Sequence, residues 1–163
     1  MKGKLRLFTS AMAALLLAVA PLVLAAEERP FKGRIDGTFI DTPTENPAIF
    51  LSVAHAVGHG THVGAFTKVT SDLVNVVSGW VEGSFIITTA DGELLIGIYF
   101  GFVTPGATPG TFSWRLDAAL AGGMGRFSNA TGQFVFIAEG QYAITDGIIH
   151  GDYNETFDGT IDY

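Results

Sequence analysis

Apolar residues recur at every second position along most of the chain after residue 30. In the stretch ELLIGIYFGFV, one face of an extended chain carries Leu94, Ile98 and Phe100, and the other carries Leu95 and Tyr99. This period is that of β-strands, and Gly, Thr and β-branched residues interrupt every candidate helix. The sequence therefore predicts an all-β fold.

Turn residues divide this alternating pattern into short predicted strands. They cover residues 31–40, 49–57, 61–70, 73–77, 80–89, 93–103, 111–120, 133–144, 148–158 and 160–163. Asp91-Gly92 and Asp146-Gly147 each lie between two apolar runs, where Asp-Gly favours a two-residue hairpin turn. Short connections make neighbouring strands antiparallel, and a sheet without covering helices must close on itself. We therefore predict an antiparallel β-barrel.

The N-terminus has the pattern of a secretory signal peptide. Three basic residues precede the apolar stretch AMAALLLAVAPLVLA, and the chain becomes polar at Glu27. We expect cleavage after Ala25, with the next alanine as second choice. An uncleaved anchor helix is the alternative, but the apolar run is nearer the length of a signal peptide than the roughly 20 residues of a membrane span. The prediction is a signal peptide at 1–25, a single domain at 26–163, and a secreted or periplasmic protein.

Charge and cysteine content limit the partners of the mature chain. The leader holds three of the nine basic residues and none of the sixteen acidic ones, so its removal changes the formal charge from -7 to -10. Such a surface repels phosphate backbones and anionic lipid headgroups, which argues against nucleic acid as a partner. With no cysteine, the fold has no disulfide and is stabilised by its core.

Both faces of the 93–103 strand are apolar, and this has two consequences. One face can fill the barrel, whereas the other needs cover, so we expect a homo-oligomer, a dimer or a trimer. An outer-membrane barrel is the rival interpretation. It is disfavoured because such barrels need a polar lumen face, which this strand lacks.

The stretch GGMGRFSNATG, residues 122–132, is typical of a structural corner between two strands. Gly122, Gly123 and Gly125 allow a tight, bulged crossing with positive φ. Phe127 is then expected to fold back as a lid on one end of the core, and Arg126 to meet a carboxylate at the rim.

This corner, followed by FVFIAEG, resembles that of the allene oxide cyclase and dirigent protein superfamily. GTHVGAFT (60–67), GSFIITTADGELLIGIYFG (83–101) and the terminal GTIDY resemble its exported bacterial branch in order and spacing. The resemblance covers nearly all of the mature chain. It implies an eight-stranded antiparallel barrel with an apolar cavity, often trimeric in the plant members. No plant catalytic residue matches a position here.

Motifs for metal binding and for common enzyme chemistry are absent from the sequence. His55, His59 and His62 lie close together, but on a strand the first two stand roughly 13 Å apart and the third points the other way. We therefore expect no metal, unless a turn at Gly58 or Gly60 brings His59 and His62 together. There is no cysteine nucleophile, no Gly-x-Ser-x-Gly elbow and no phosphate-binding loop, and we expect no cofactor.

The remaining candidate site is the barrel lumen. An eight-stranded barrel can hold one small apolar molecule, and we predict this function. The residues expected to contact the ligand are His62, Phe66, Phe85, Tyr99 and Phe134, with His62 or Tyr99 supplying a hydrogen bond. The first alternative is a cofactor-independent isomerase or cyclase, as the resemblance implies for part of the superfamily. The second is a solid barrel with a structural or interaction role, and whether the protein is an enzyme stays open.

Overall fold

The structure is a computed structural model that describes residues 28–163, so the predicted signal peptide lies outside the described residues. The described residues form eight β-strands and one single-turn 3-10 helix. The strands are β1 (Arg29–Pro43), β2 (Ile49–Gly60), β3 (Gly64–Asn75), β4 (Trp80–Thr89), β5 (Leu94–Pro105), β6 (Thr111–Met124), β7 (Gln133–Thr145) and β8 (Ile148–Ile161), and the helix is Gly125–Phe127. Over residues 28–163, no helix is long and apolar enough to cross a bilayer.

The strands close into a barrel. Each strand pairs antiparallel with the next along the chain, and β8 pairs with β1 from Arg29↔Ile161 to Asp41↔Ile149. Because every strand has two hydrogen-bonded neighbours, the sheet has no free edge. The predicted all-β, eight-stranded antiparallel barrel is confirmed.

Two of the predicted breaks between strands do not occur. A break predicted at Ser71 and Asp72 does not occur, and β3 runs through both residues. The polar pair continues the strand because Asp72 points inward, is 9% exposed and accepts a hydrogen bond from Tyr99. The predicted separate strand at 160–163 does not form: Thr160 and Ile161 end β8 and still pair with β1, and Asp162 makes an isolated bridge with Thr131.

The two Asp-Gly turns differ from each other. Asp146 and Gly147 both have positive φ, 54° and 80°, and they join β7 to β8 as the predicted two-residue turn. Between β4 and β5 only Gly92 has positive φ, and residues 90–93 form a longer connection. The chain turns earlier there because the N–H of Gly92 bonds the carbonyl of Thr89 at 2.9 Å. The two-residue turn predicted at this position is therefore wrong.

The 122–132 stretch is a corner, as predicted. Gly122 and Gly125 have positive φ, and the β5–β6 register shifts opposite Gly122, as in a bulge. Gly123 lacks the expected positive φ and is required for another reason. A Cβ atom there would lie 1.9 Å from the carbonyl oxygen of Leu94. Phe127 is fully buried, and Arg126 Nε lies 2.9 Å from a carboxylate oxygen of Glu93.

The corner closes one end of the barrel, which we call the closed end. The turns at 61–63 and 90–93 lie at the same end. Aromatic rings fill the interior above it and pack edge to face, as Phe85 does against Phe134 with ring centroids 5.8 Å apart. The other end, with the loops 44–48, 76–79 and 106–110, is called the open end.

The outer surface of the barrel has one apolar and one polar side. The predicted two-faced pattern of β5 is confirmed, since Leu95 and Tyr99 are buried whereas Ile98 and Phe100 are 56% and 49% exposed. Exposed apolar side chains continue across the neighbouring strands β2, β3 and β4. They include Leu51, Val57, Val69, Leu73, Ile86, Ile96 and Phe102. Most of the outward positions on β8 and β1 carry charged or polar residues.

Candidate functional site

A cavity of about 490 Å³ occupies the open half of the barrel. Its size falls within the range of about 300 to 1,000 Å³ that is typical of ligand sites. Most of its wall is aromatic or aliphatic. The apolar lining includes Phe39, Phe50, Ala54, Val74, Val81, Val103, Phe112, Trp114, Leu116, Tyr142 and Tyr153. The lumen is therefore not filled by its own side chains.

The cavity ends at a buried ion pair between Lys68 and Glu155. Their side chains are 2% and 0% exposed, and they come from β3 and β8, which are not neighbours in the sheet. The Lys68 ammonium also lies 3.8 Å from the ring centroid of Phe136, a core residue that does not line the cavity. The ion pair thus crosses the lumen and separates the cavity from the aromatic core.

Trp114 completes the environment of Glu155. Its indole N–H donates to Glu155 Oε1 at 3.1 Å, so each carboxylate oxygen has a donor, Lys68 on one and Trp114 on the other. Burial raises the pKa of Glu155, and Lys68 and Trp114 oppose this effect. Lys68 and Glu155 therefore compensate each other's charge, and the hydrogen bond to Glu155 holds the Trp114 ring at the cavity wall.

Asp72 and Tyr99 form a second polar contact beside the cavity. The Tyr99 hydroxyl donates to Asp72 Oδ1, and the Thr70 hydroxyl donates to Oδ2 at 3.3 Å. Burial raises the pKa of Asp72 to about 7, although the bond from Tyr99 and the charge of Lys68 lower it. Burial and the neighbouring Asp72 raise the pKa of Tyr99 well above its usual value. Asp72 therefore changes its protonation state near neutral pH.

Asp41 lines the same cavity and is only 6% exposed. Its Oδ1 atom is buried and has no hydrogen-bond partner within residues 28–163. Burial raises the pKa of Asp41 to about 6, and a hydrogen bond from Ser52 opposes the shift. A buried acceptor without a donor is unfavourable, so Asp41 is a place where a ligand donor would stabilise the structure.

Of the five predicted contact residues, Tyr99 alone lines the cavity. Phe66, Phe85 and Phe134 do point into the barrel, but they are 5%, 1% and 4% exposed in the aromatic core of the closed end. The sequence predicted that these three rings point into the barrel. It did not predict which half of the barrel contains the cavity. A role in ligand binding stays a prediction for all of them.

His62 does not project from a strand face, because the chain turns at residues 61–63. It has φ of +64°, and its Nδ1 lies 3.2 Å from the Tyr163 hydroxyl at the closed end. Its carbonyl accepts a bond from Arg126 at 2.8 Å. His55 and His59 are exposed on the outer face of β2. The turn thus places His62 on the far side of the aromatic core from the cavity.

The charged residues of the cavity were missed, although the alternation of side chains indicated them. Lys68 and Asp72 share the inward face of β3 with Phe66, and Glu155 lies between the inward residues Tyr153 and Phe157. Side chains that are two residues apart on a strand point to the same face of the sheet. Asp41 follows Phe39 on β1 by the same rule.

Comparison with known proteins gives a structural match with a low TM-score and no sequence match. No protein-family model matches the chain, and no curated protein matches it. A solved structure that matches is that of the pterocarpan synthase dirigent protein GePTS1, with 17% sequence identity, 90% of this chain and 99% of that chain covered, and a TM-score of 0.24. The closed barrel rests on the strand pairing of this chain. The link to allene oxide cyclases and to an exported bacterial branch stays a prediction.

Proposed function

We propose that this protein binds a small, largely apolar molecule in the open half of its barrel. The observation that carries the proposal is the 490 Å³ cavity itself, with aromatic walls and a few buried polar groups at its inner end. Apolar walls supply most of the binding free energy, and the polar groups orient the ligand. The predicted secreted or periplasmic location would place the protein where it meets such molecules outside the cytoplasm.

The walls favour a flat or ring-containing ligand. Phe112 and Trp114 stack with their ring centroids 5.2 Å apart, and Tyr153 lies 4.7 Å from Trp114. These rings hold one another in place, so the cavity is formed before a ligand enters. Preformed sites lose less conformational entropy on binding.

A pair of tryptophan substitutions tests this proposal. Val74 lines the cavity, whereas Leu73 beside it on β3 is 43% exposed on the outer surface. Val74→Trp should fill the cavity and abolish binding of an uncharged fluorescent apolar probe such as N-phenyl-1-naphthylamine. Leu73→Trp adds the same side chain outside and should leave binding unchanged. Equal probe binding by both variants and the parent would place the probe on the outer surface and contradict the proposal.

A cofactor-independent isomerase or cyclase is the second candidate, and the Asp72–Tyr99 contact favours it. A carboxyl group with a pKa of about 7 at an apolar cavity can both donate and accept a proton near neutral pH. Asp72→Asn and Tyr99→Phe should then lower kcat on a polyene or epoxide substrate much more than they weaken binding. A folded sample that turns over no member of a broad panel of such substrates would count against catalysis.

We also propose that the apolar outer face of β2 to β5 is covered by a second copy of this chain, in a dimer or a trimer. This face is continuous, because Val69, Ile86 and Ile96 are paired in register across three strands. All three are at least 37% exposed, and a contiguous apolar surface of this kind usually marks an interface.

A further inference from the structure

The cavity contains more negative charge than its own side chains neutralise. The titratable groups that face it are Asp41 on β1, Lys68 and Asp72 on β3, Tyr99 on β5, Tyr142 on β7, and Tyr153 and Glu155 on β8. Lys68 is the one basic residue among them, and its ammonium is held by Glu155. Asp41 and Asp72 therefore have no cation of their own.

The two aspartates differ in how well they are satisfied. Both oxygens of Asp72 accept a hydroxyl, one from Tyr99 and one from Thr70. Asp41 is also buried, and its Oδ1 atom has no donor among the described residues. Asp41 and Asp72 lie in one row of the barrel wall, because each pairs with Ser52 on the strand between them. The charge of Asp41 accordingly raises the pKa of Asp72. The missing group is thus a donor, and one that carries positive charge.

The walls around the aspartates also suit a cation. Phe39, Phe112 and Tyr153 line the same cavity, and Phe39 packs edge to face on Phe112 with centroids 5.5 Å apart. Aromatic faces attract ammonium groups through their quadrupole, most strongly where water is excluded. A metal ion is less well matched, because residues 28–163 hold no group of three or more histidine or acidic side chains arranged to bind one.

We propose that the molecule bound in this cavity is an organic amine, with its protonated nitrogen on Asp41 beside Asp72 and its apolar body against the aromatic walls. This inference rests on the proposed ligand-binding function and names the class of ligand. A neutral alcohol would supply a hydrogen bond to Asp41 but would leave the charge of the two carboxylates uncompensated.

The test compares two probes that differ only in their terminal group, naphthylbutylamine and naphthylbutanol. Their affinities for the purified protein are measured by isothermal titration calorimetry at about pH 8 and about pH 5, on either side of the aspartate titrations. At the higher pH the amine should bind about tenfold more tightly than the alcohol, or better, as expected for a buried charged pair. At the lower pH the ratio should shrink towards one, because both aspartates become protonated.

Three variants locate the effect. Asp41→Asn should remove most of the preference for the amine and change the alcohol affinity much less, because asparagine keeps an acceptor oxygen at that position. Asp117→Asn deletes a charge from an outer side chain that is 58% exposed and should change neither affinity, which controls for attraction to the acidic surface. Val74→Trp should abolish binding of both probes.

The outcomes separate this inference from the function on which it rests. If the alcohol binds as tightly as the amine at the higher pH, or if Asp41→Asn keeps the full preference, the amine inference is overturned while cavity binding stands. If neither probe binds to the parent protein, both proposals are overturned.

Discussion

The Tyr99 hydroxyl reaches Asp72 across Gly83. Asp72 on β3 pairs with Gly83 on β4, and Gly83 in turn pairs with Tyr99 on β5. A Cβ atom at Gly83 would lie 2.3 Å from Asp72 Oδ1. The bond between the two side chains therefore exists because the strand between them carries no side chain at that point.

Gly83→Ala should break this contact. The added methyl group takes the space of the carboxylate oxygen, and a buried polar group that loses its partner costs about 1 to 3 kcal/mol. We expect urea denaturation to show a loss of that size in the free energy of unfolding. The control is Ser84→Ala, the next residue, whose side chain points outward and should change stability by about 0.5 kcal/mol or less. Equal stability of the two variants would show that the methyl group is accommodated.

Asp41→Asn should stabilise the protein at alkaline pH. The pKa of Asp41 is about 6 in the folded protein, compared with 3.8 for an aspartate in the unfolded chain. The folded state therefore binds the proton more tightly than the unfolded state. Stability therefore falls as pH rises from about 4 through about 6, by at most roughly 3 kcal/mol at about 1.4 kcal/mol per unit. The asparagine variant lacks this contribution.

Denaturation curves at about pH 4 and about pH 8 measure the effect. The difference in stability between Asp41→Asn and the parent should be more favourable to the variant at the higher pH. Asp117→Asn, on the exposed outer surface, should show little such change. A difference that is the same at both pH values would mean that Asp41 titrates normally in the folded protein.

Substitutions in the corner should separate backbone strain from surface charge. Gly125→Val places a β-branched residue at φ of +70°, and Gly123→Val forces a contact with the Leu94 carbonyl. Each should cost more than about 1 kcal/mol. Arg126→Ala removes the ion pair with Glu93 and the hydrogen bond to the His62 carbonyl, both made by a side chain that is 46% exposed, and should cost about 0 to 1 kcal/mol. Thermal melts should give Arg126→Ala a higher Tm than either valine variant. A lower Tm for Arg126→Ala than for both valine variants would contradict the structural role of the corner.

Phe100→Asp should dissociate the expected oligomer. Phe100 is 49% exposed on the apolar side of the barrel, and a buried unpaired carboxylate in an interface is strongly unfavourable. Sedimentation velocity should show a dimer or trimer for the parent and a monomer for this variant. Ile40→Asp is the control, since Ile40 is 48% exposed on β1 on the polar side. A parent that is monomeric at micromolar concentration would contradict the proposed interface.

The sequence by itself determined which side chains share one face of a strand, because the alternation along a strand is local. The sequence predicts an interior position for Phe66, Tyr99 and Phe127, and all three are buried. The Asp146-Gly147 turn was also local, since its two positive φ angles depend on those two residues. The same rule would have placed Lys68 and Glu155 inside.

Only the tertiary structure decided which half of the barrel is open and which charges meet. Lys68 and Glu155 are separated by 87 positions and lie on strands that are not neighbours, so their contact depends on how the barrel closes. His62 lies outside the barrel interior because the chain turns between β2 and β3 at residues 61–63. The position of the cavity depends on the summed volumes of side chains from all eight strands, a quantity that no single stretch of sequence contains.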